Sequence, residues 1–184
     1  MNTLTYILRD LAVCLAAYVT GSLPFSYIFA KLVKGVDITK QGSRNMGATN
    51  VLRTAGVVAA IFAFAGDFLK ALLFIFLLRR FLPGVSNEIV LAAGVAVVLG
   101  HDFSILAGFK GGKGVAATFG VVMVLSWPVA VVEFCIWFVV MLFRDIVSLA
   151  SIIGFIALPF VALLFRLPRN VILIYTLLAI LGIV

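Results

Sequence analysis

Two glycine-rich segments of the chain carry residue types that could hold a phosphate group. The first, GSRNMGATN, covers residues 42–50, and Arg53 follows it. Backbone amides in such a loop can form a concave anion site, and the serine, asparagine and threonine side chains add donors. Arginine presents a planar fork that suits phosphate, and a helix starting near Val51 would point its N-terminal amides at the same ligand. The segment therefore indicates a phosphate or similar oxyanion site, although a capped loop between two helices would also explain it.

The second segment, FKGGKG, covers residues 109–114 and also precedes an apolar stretch. Its spacing differs from the nucleotide-binding G-x-x-x-x-G-K-[ST] loop, because Gly112 follows Gly108 by four residues and Gly114 follows Lys113. We therefore predict no bound nucleotide. The lysines alone could anchor the chain to anionic lipid, but two segments rich in glycine and basic residues favour one shared anionic ligand.

Few other residues of the chain could take part in chemistry. Asp67 and Lys70 are one helical turn apart in an apolar stretch, so they either pair with each other or face a polar interior. His101 is the only histidine, and only Asp102 lies beside it. Neither a zinc site nor a Ser-His-Asp arrangement is visible, so a structural role for His101 at a helix end is favoured. Glu133 has no clear partner in the sequence.

The composition is that of an integral membrane protein. Of 184 residues, 65% are hydrophobic and 11% are charged, and the mean hydropathy is +1.29. A soluble domain is about half apolar and about a quarter charged. The net charge of +7 is typical of basic loops that contact anionic lipid, so nucleic acid is not an expected partner. Cys14 and Cys135 stand alone in apolar runs and are predicted to be core residues, so no metal site is predicted.

The apolar runs predict an all-α integral membrane protein with one transmembrane domain over residues 1–184, a polytopic bundle of about seven helices with cytoplasmic glycine-rich loops. One crossing needs roughly 20 apolar residues. The run over residues 115–144 is too long for one straight crossing, and Pro128 favours a break near Ser126. A single kinked helix here, and six helices in all, is the alternative. The expected spans are residues 4–32, interrupted at Gly21 and Pro24, and residues 51–82, 88–101, 115–126, 128–143, 150–165 and 171–184.

Basic residues predict the orientation of the bundle. With the break near Ser126, three polar segments share one face, namely residues 33–50, 101–114 and 145–151. Without the break, the third segment would move to the opposite face. Basic residues on the shared face outnumber those on the other by eight to five, which favours the cytoplasm for the three segments. The eight are Lys31, Lys34, Lys40, Arg44, Arg53, Lys110, Lys113 and Arg144, and the five are Arg9, Arg79, Arg80, Arg166 and Arg169.

Six motifs in a fixed order resemble the bacterial acyl-phosphate-dependent glycerol-3-phosphate acyltransferase family over about residues 18–155. They are GS-x-P at 21–24, GSRNMGATNVLR at 42–53, DFLK at 67–70, GH at 100–101, FKGGKGVA at 109–116 and SLASI at 148–152. The resemblance implies a seven-helix enzyme of the bacterial inner membrane that needs neither cofactor nor metal. Such an enzyme moves an acyl chain from acyl phosphate to the 1-hydroxyl of sn-glycerol 3-phosphate. The products are lysophosphatidic acid and phosphate, in the first step of phospholipid synthesis.

The resemblance also assigns roles by position. The expected catalytic residues are Lys113, Ser43, Asn45 and Arg53. The expected substrate-binding residues are Gly42, Gly47, Thr49, Asn50, His101, Gly111, Gly112, Ser148 and Ser151. We expect the glycerol hydroxyl to attack the acyl carbonyl directly, while Lys113 and loop amides stabilise the negative charge. No protein base is evident, so the proton is expected to pass to a substrate phosphate.

The chain departs from the family pattern at several positions. Arg44 stands where the first loop usually has glycine, Asp102 and the two residues after it replace a stretch that often contains proline, and Ala71 replaces a glycine. The pattern also ends in a basic cytoplasmic tail with a histidine and an asparagine, whereas this sequence stops at Val184.

Two other functions remain open from the residues alone. The alternative to an acyltransferase is a transporter or channel for a phosphorylated anion, against which no inverted repeat is visible. A non-catalytic scaffold would explain the hydropathy but not the glycine-rich segments. For the enzyme, the expected partners are acyl phosphate, glycerol 3-phosphate and membrane lipids, and the expected state is a multi-pass monomer.

Overall fold

The chain is helical throughout the part that its structure describes. A computed structural model describes residues 3–144 and 146–183; Asp145 of the third polar segment and Val184 of the last expected span lie outside them. The α-helices of the described residues are α1 (Thr3–Gly21), α2 (Phe25–Lys34), α3 (Ala48–Ala55), α4 (Val57–Phe81), α5 (Asn87–Asp102), α6 (Val115–Leu125), α7 (Trp127–Arg144), α8 (Val147–Leu164) and α9 (Arg169–Ile183). A 3₁₀ turn at Ile105–Ala107 lies between α5 and α6.

The first expected span is interrupted between Gly21 and Pro24, as predicted. Pro24 has no amide hydrogen to donate and lies directly before α2. A side chain at Gly21 would collide with the Val97 carbonyl of α5, so this glycine permits close packing of α1 against α5. The interruption leaves the Ser22 and Leu23 carbonyl oxygens available to partners outside the helix.

The second expected span, residues 51–82, is wrong in its boundaries. Helix α3 begins at Ala48, and Gly56 separates α3 from α4. Gly56 has a φ of 87°, a value that glycine adopts without the strain of a side chain. A lone glycine in an apolar run is only a weak signal for a break, which is why the sequence did not reveal it. The break lets α3 pack on α2 and α4 through Val51.

The split of the long run over residues 115–144 is confirmed. Helix α6 ends at Leu125 and α7 begins at Trp127. Pro128 lies in the first turn of α7, where its missing amide hydrogen costs no helical hydrogen bond.

The third polar segment is shorter than expected. Helix α8 begins at Val147 rather than near residue 150. Ser148 and Ser151 therefore lie in the first turns of a helix and not in a loop.

Contacts between distant segments show how deep the second glycine-rich segment lies. The Arg79 guanidinium donates to the Val124 carbonyl at 3.4 Å, so α4 and α6 end together. Helix α6 has 11 residues and α4 has 25, which correspond to about 16 Å and about 38 Å. Gly120 of α6 packs against the Phe68 carbonyl of α4. Helix α6 therefore starts level with the middle of α4. The second glycine-rich segment, which precedes α6, reaches the same level in the bundle.

Five helical stretches of the described residues are long and apolar enough to cross a membrane. They are Thr3–Lys34, which joins α1 and α2, Val57–Phe81, Asn87–Ala107, Trp127–Arg144 and Val147–Leu164. Two further apolar helices, Val115–Leu125 and Arg169–Ile183, are shorter. Large apolar side chains cover the outer surface of the helices, which suits lipid better than water.

Candidate active site

The first two polar segments meet at a cleft inside the bundle. The Met46 amide donates to the Gly111 carbonyl at 3.0 Å, which ties the loop before α3 to the loop before α6. The cleft between them is narrow: its volume is about 10 Å³, close to the room that one water molecule needs. Its lining residues are Gly21, Ser22, Leu23, Pro24, Met46, Asp67, Lys70, His101, Ser104, Lys110, Gly111 and Gly112.

Asn50 shapes the first loop from inside. Its side-chain nitrogen donates to the carbonyl oxygens of Ile38, Gln41 and Asn45 at 3.1, 3.1 and 2.9 Å. Its side-chain oxygen accepts the Ser43 amide at 3.0 Å, and the residue is 2% exposed. The carboxamide is thus used within the loop, so Asn50 holds the loop rather than offering its own donors to a ligand.

Two positions of the first loop have left-handed backbone conformations. Gly42 has a φ of 60°, and a side chain there would collide with the Asn50 side-chain oxygen. Arg44 has a φ of 62° and is exposed. This conformation favours glycine, which gives a physical reason for the glycine that the family pattern has at the position of Arg44.

Five expected site residues in or beside the two loops have accessible side chains, but none of the five lines the cleft. Ser43, Arg53 and Lys113 are exposed, and Asn45 and Thr49 are partly exposed. Gly47 precedes α3 in an extended conformation, so its carbonyl starts the helix and accepts the Asn50 and Val51 amides. The loop thereby leads directly into the amide end of a helix, which favours an anion.

The second loop needs its glycines because it passes close to the end of α5. A side chain at Gly111 would collide with the carbonyl oxygens of His101 and Asp102, and one at Gly112 would collide with the His101 ring. The Gly112 amide donates to the His101 carbonyl at 3.2 Å. On the other side, the Ser104 hydroxyl donates to the Ser22 carbonyl at 2.6 Å. These contacts hold the loop against the break between α1 and α2.

A buried charged cluster forms the floor of the cleft. Lys70 Nζ donates to Asp67 Oδ1 at 2.7 Å and to the Leu23 carbonyl at 2.7 Å. The Ser26 hydroxyl donates to Asp67 Oδ2 at 2.8 Å, and Lys70 Nζ lies 3.0 Å from His101 Nδ1. The pairing of Asp67 with Lys70 is one of the two expected arrangements.

The sequence did not show that His101 and Ser26 join this pair. The available signal was a set of polar residues in apolar helices. Their common depth depends on how α2, α4 and α5 pack. The structural role expected for His101 at a helix end becomes a position in the wall of the cleft.

The third polar segment has no hydrogen bond to the two loops within residues 3–144 and 146–183. The Trp137 indole donates to the Ser151 hydroxyl at 3.3 Å, and that hydroxyl donates to the Val147 carbonyl at 3.0 Å. Ser148 is exposed in the first turn of α8. The structure therefore joins two of the three segments directly, and Ser148 and Ser151 remain predicted contacts.

An apolar groove opens beside the cleft, between the α1–α2 break and α4. Its volume is about 550 Å³, and it is lined by Thr20, Leu23, Phe25, Phe29, Phe62, Ala65, Gly66, Leu69, Lys70, Leu73, Phe74 and Leu77. Leu23 and Lys70 also line the cleft, so the two spaces adjoin at these residues. The groove has room for an apolar tail, and the adjoining loops suit an anionic head.

The described residues contain no group of three or more His, Cys, Asp or Glu side chains that could hold a metal ion. The charged side chains that line the cleft are Asp67, Lys70 and Lys110, and Asp67 is already paired with Lys70 and Ser26.

Comparison with known proteins agrees with this geometry. The family model for glycerol-3-phosphate acyltransferase matches residues 11–184. The chain belongs to the glycerol-3-phosphate acyltransferase family. A family member from Alkaliphilus metalliredigens is 46% identical over 152 residues, which cover 82% of this chain and 76% of that protein. Another, from Carboxydothermus hydrogenoformans, is 44% identical over 156 residues, which cover 85% of this chain and 78% of that protein.

Solved structures of the acyltransferase family have the same fold. The crystal structure of PlsY (YgiH), an integral membrane glycerol 3-phosphate acyltransferase, in its glycerol 3-phosphate form matches with a TM-score of 0.87. It is 38% identical in sequence, and the match covers 95% of this chain and 86% of that chain. Its lysophosphatidic acid form matches with a TM-score of 0.85 at the same identity and coverage. The all-helical, membrane-integral class expected from the sequence is thereby confirmed.

Proposed function

We propose that the chain transfers an acyl group from acyl phosphate to the 1-hydroxyl of sn-glycerol 3-phosphate, releasing lysophosphatidic acid and phosphate. One observation carries the proposal: a cleft closed by two glycine-rich loops adjoins an apolar groove at Leu23 and Lys70. The groove has room for an acyl tail, and the loops beside it suit the phosphate head of the same substrate. The family relatives bear the name glycerol-3-phosphate acyltransferase, and the related crystal structures are of glycerol 3-phosphate and lysophosphatidic acid forms.

The residues divide into those that contact substrate and those that hold the loops. Arg53 and Lys113 are exposed basic side chains beside the loops and would bind the phosphates of the two substrates. Ser43, Asn45 and Thr49 would add hydrogen-bond donors. The remaining assignments are backbone amides at Gly42, Gly47, Gly111 and Gly112, a positioning role for Asn50, and contacts of Ser148 and Ser151 with glycerol 3-phosphate.

The reaction needs no acyl-enzyme, because acyl phosphate already carries a good leaving group. The glycerol oxygen attacks the carbonyl carbon, the new C–O ester bond forms, and the C–O bond to phosphate breaks. The hydroxyl proton passes to a phosphate oxygen of a substrate. Lys113 and the loop amides would stabilise the charge on the departing phosphate, and the remaining contribution is positioning.

The same proposal includes the topology. Seven crossings would use the five long stretches and the two shorter apolar helices. The two joined loops would face the cytoplasm of a bacterial inner membrane, in agreement with the excess of basic residues around them. The working unit would be a monomer that contacts membrane lipid and no nucleic acid.

The decisive experiment is an assay of the purified chain with palmitoyl phosphate and glycerol 3-phosphate. Phosphate release that requires glycerol 3-phosphate, together with lysophosphatidic acid detected by mass spectrometry, is the expected result. Uptake of labelled glycerol 3-phosphate into liposomes without any acylated product would instead establish a transporter.

A substitution of Lys113 tests the site assignment. Lys113→Ala is expected to lower kcat by about a hundred- to a thousandfold, the usual effect of removing one donor to a developing negative charge. Lys34→Ala, at an exposed position near the end of α2, is the control and should leave turnover unchanged. Normal turnover of Lys113→Ala in membranes would contradict the assignment.

A further inference from the structure

We propose that His101 is a catalytic residue that donates a hydrogen bond from Nε2–H to the carbonyl oxygen of the acyl donor, and that Lys70 fixes its ring in the neutral state that can do so. This inference rests on the acyl transfer proposed above. It assigns His101 a specific role and makes Lys70 a positioning residue.

The hydrogen bonds of Lys70 determine which nitrogen of His101 carries the proton. An ammonium group has three hydrogens and no lone pair. Lys70 Nζ has three neighbours in hydrogen-bond range: the Leu23 carbonyl at 2.7 Å, Asp67 Oδ1 at 2.7 Å and His101 Nδ1 at 3.0 Å. Each neighbour must therefore accept. Since Nδ1 accepts, a neutral ring carries its hydrogen on Nε2.

The charge balance of the cluster favours the same state. The side chains of Asp67 and Lys70 are each 2% exposed, and that of His101 is 6% exposed. The Asp67 carboxylate and the Lys70 ammonium cancel, whereas a charged imidazole would place a second positive charge 3.0 Å from the ammonium. Nδ1 also lies 3.3 Å from Asp67 Oδ1, which is longer than its 3.0 Å separation from Lys70.

The opposite edge of the ring faces the second glycine-rich loop. A side chain at Gly112 would collide with Nε2, so the loop passes directly over this nitrogen. The Gly112 amide donates to the His101 carbonyl at 3.2 Å and holds the loop in register with the ring. The ring lines the cleft together with Gly111 and Lys110. A donor is therefore fixed at the point where the loop meets the cleft.

Because the cleft and the groove adjoin, the reacting carbonyl of the acyl donor lies near Nε2–H of His101. An acyl phosphate with its phosphate at the loops and its chain in the groove must pass Leu23 and Lys70, which line both spaces. Its carbonyl then lies beside His101. When the glycerol oxygen adds to the carbonyl carbon, the C=O electron pair moves to oxygen, and Nε2–H stabilises that oxyanion. The pair returns as the C–O bond to phosphate breaks, and His101 keeps its proton throughout.

Because His101 is the only histidine, its ring can be observed directly. The full chain, purified with a histidine-free tag into lipid nanodiscs, is grown on isotope-labelled histidine and measured by nitrogen NMR at neutral pH. The expected spectrum has a protonated Nε2 and an unprotonated Nδ1. A ring protonated on Nδ1 only, or on both nitrogens, overturns the proposal.

The same spectrum tests Lys70. In Lys70→Met the Nδ1 atom keeps only the Asp67 carboxylate as its charged neighbour, at 3.3 Å, so Nδ1 should gain a proton and the ring should lose its preference for Nε2–H alone. An unchanged spectrum would mean that Lys70 does not position the ring.

Two substitutions distinguish a hydrogen-bond donor role of His101 from a purely structural role. His101→Asn keeps an acceptor near the Nδ1 position for Lys70 but has no donor at the Nε2 position. His101→Gln can place an amide N–H there. We expect His101→Asn to lower kcat by about a hundred- to a thousandfold with little change in KM for glycerol 3-phosphate, and His101→Gln to retain roughly tenfold more activity than His101→Asn.

Equal activity of the two variants, or near-normal turnover of His101→Asn, would overturn the catalytic role of His101. The two proposals fail separately. A wild-type protein that releases no phosphate refutes the acyl transfer, and the catalytic role with it, whatever the ring spectrum. Normal turnover with an Nδ1–H ring refutes only the inference about His101.

Discussion

The strongest stability prediction concerns the buried ion pair under the cleft. Asp67→Asn keeps the size of the side chain but removes the charge that neutralises Lys70. The pair lies at 2.7 Å with both side chains 2% exposed. Removing one partner of such a buried pair costs about 3–5 kcal/mol, because the other charge remains without compensation. We expect Asp67→Asn to lower the free energy of unfolding by that amount in denaturant titrations in mixed micelles.

The chain contains a matched control with the same residue types and spacing. Asp37 and Lys40 also form an i, i+3 pair, but their separation is 3.6 Å and the lysine side chain is 80% exposed. The hydrogen bond from the Thr39 hydroxyl holds the pKa of Asp37 below its ordinary value, so this carboxylate is charged at neutral pH. Asp37→Asn should nevertheless lower the unfolding free energy much less than Asp67→Asn does, because solvent screens the pair with Lys40 and only the hydrogen bonds from Thr39 are weakened.

A double variant identifies the cause of the loss. Asp67→Asn combined with Lys70→Gln removes both charges, so the double variant should be more stable than the sum of the two single losses implies. A loss below about 1 kcal/mol for Asp67→Asn, the range of a surface pair, would refute the reasoning. Strict additivity of the two single losses would refute it as well.

Two further predictions concern the first loop and the groove. Asn50→Asp removes the donors to three loop carbonyls, and each buried group left unpaired costs about 1–3 kcal/mol. We therefore expect kcat/KM to fall by at least roughly tenfold. The control is Asn170→Asp, at an exposed position at the start of α9, which should retain full activity. Leu73→Trp narrows the groove and should lower kcat/KM for palmitoyl phosphate more than for octanoyl phosphate. Equal effects on both donors would contradict the assignment of the groove to the acyl chain, and Leu11→Trp on the outer surface of α1 is its control.

Local sequence signals predicted the parts of the fold that depend on short stretches of chain. Hydropathy indicated the helices, and Pro24 and Pro128 marked two of their interruptions, because a proline changes the backbone of its own and the preceding residue. The two glycine-rich segments were visible as well, because each is a contiguous motif. The break at Gly56 was missed, since a single glycine in an apolar run is compatible with a continuous helix.

The arrangement of the candidate site depended on contacts between residues far apart in the chain. The Asn50 side chain could donate to a ligand, but its carboxamide instead binds carbonyls of its own loop. The sequence did not show this, because those carbonyls come together only in the folded chain. Ser148 and Ser151 were expected in a loop beside the other two segments, but α8 begins before them.

The sequence by itself determined the membrane class, the family and the two glycine-rich segments, since each is encoded in composition or in a contiguous motif. The tertiary structure decided that Lys70 meets His101 across 31 residues and that Ser26 meets Asp67 across 41. These contacts depend on the common depth of α2, α4 and α5 in the bundle. Close packing at small residues helps to set that depth, as where Gly66 of α4 lies against Phe25 of α2. Packing is a property of several helices together, so no single stretch of the chain could reveal which polar groups it would unite.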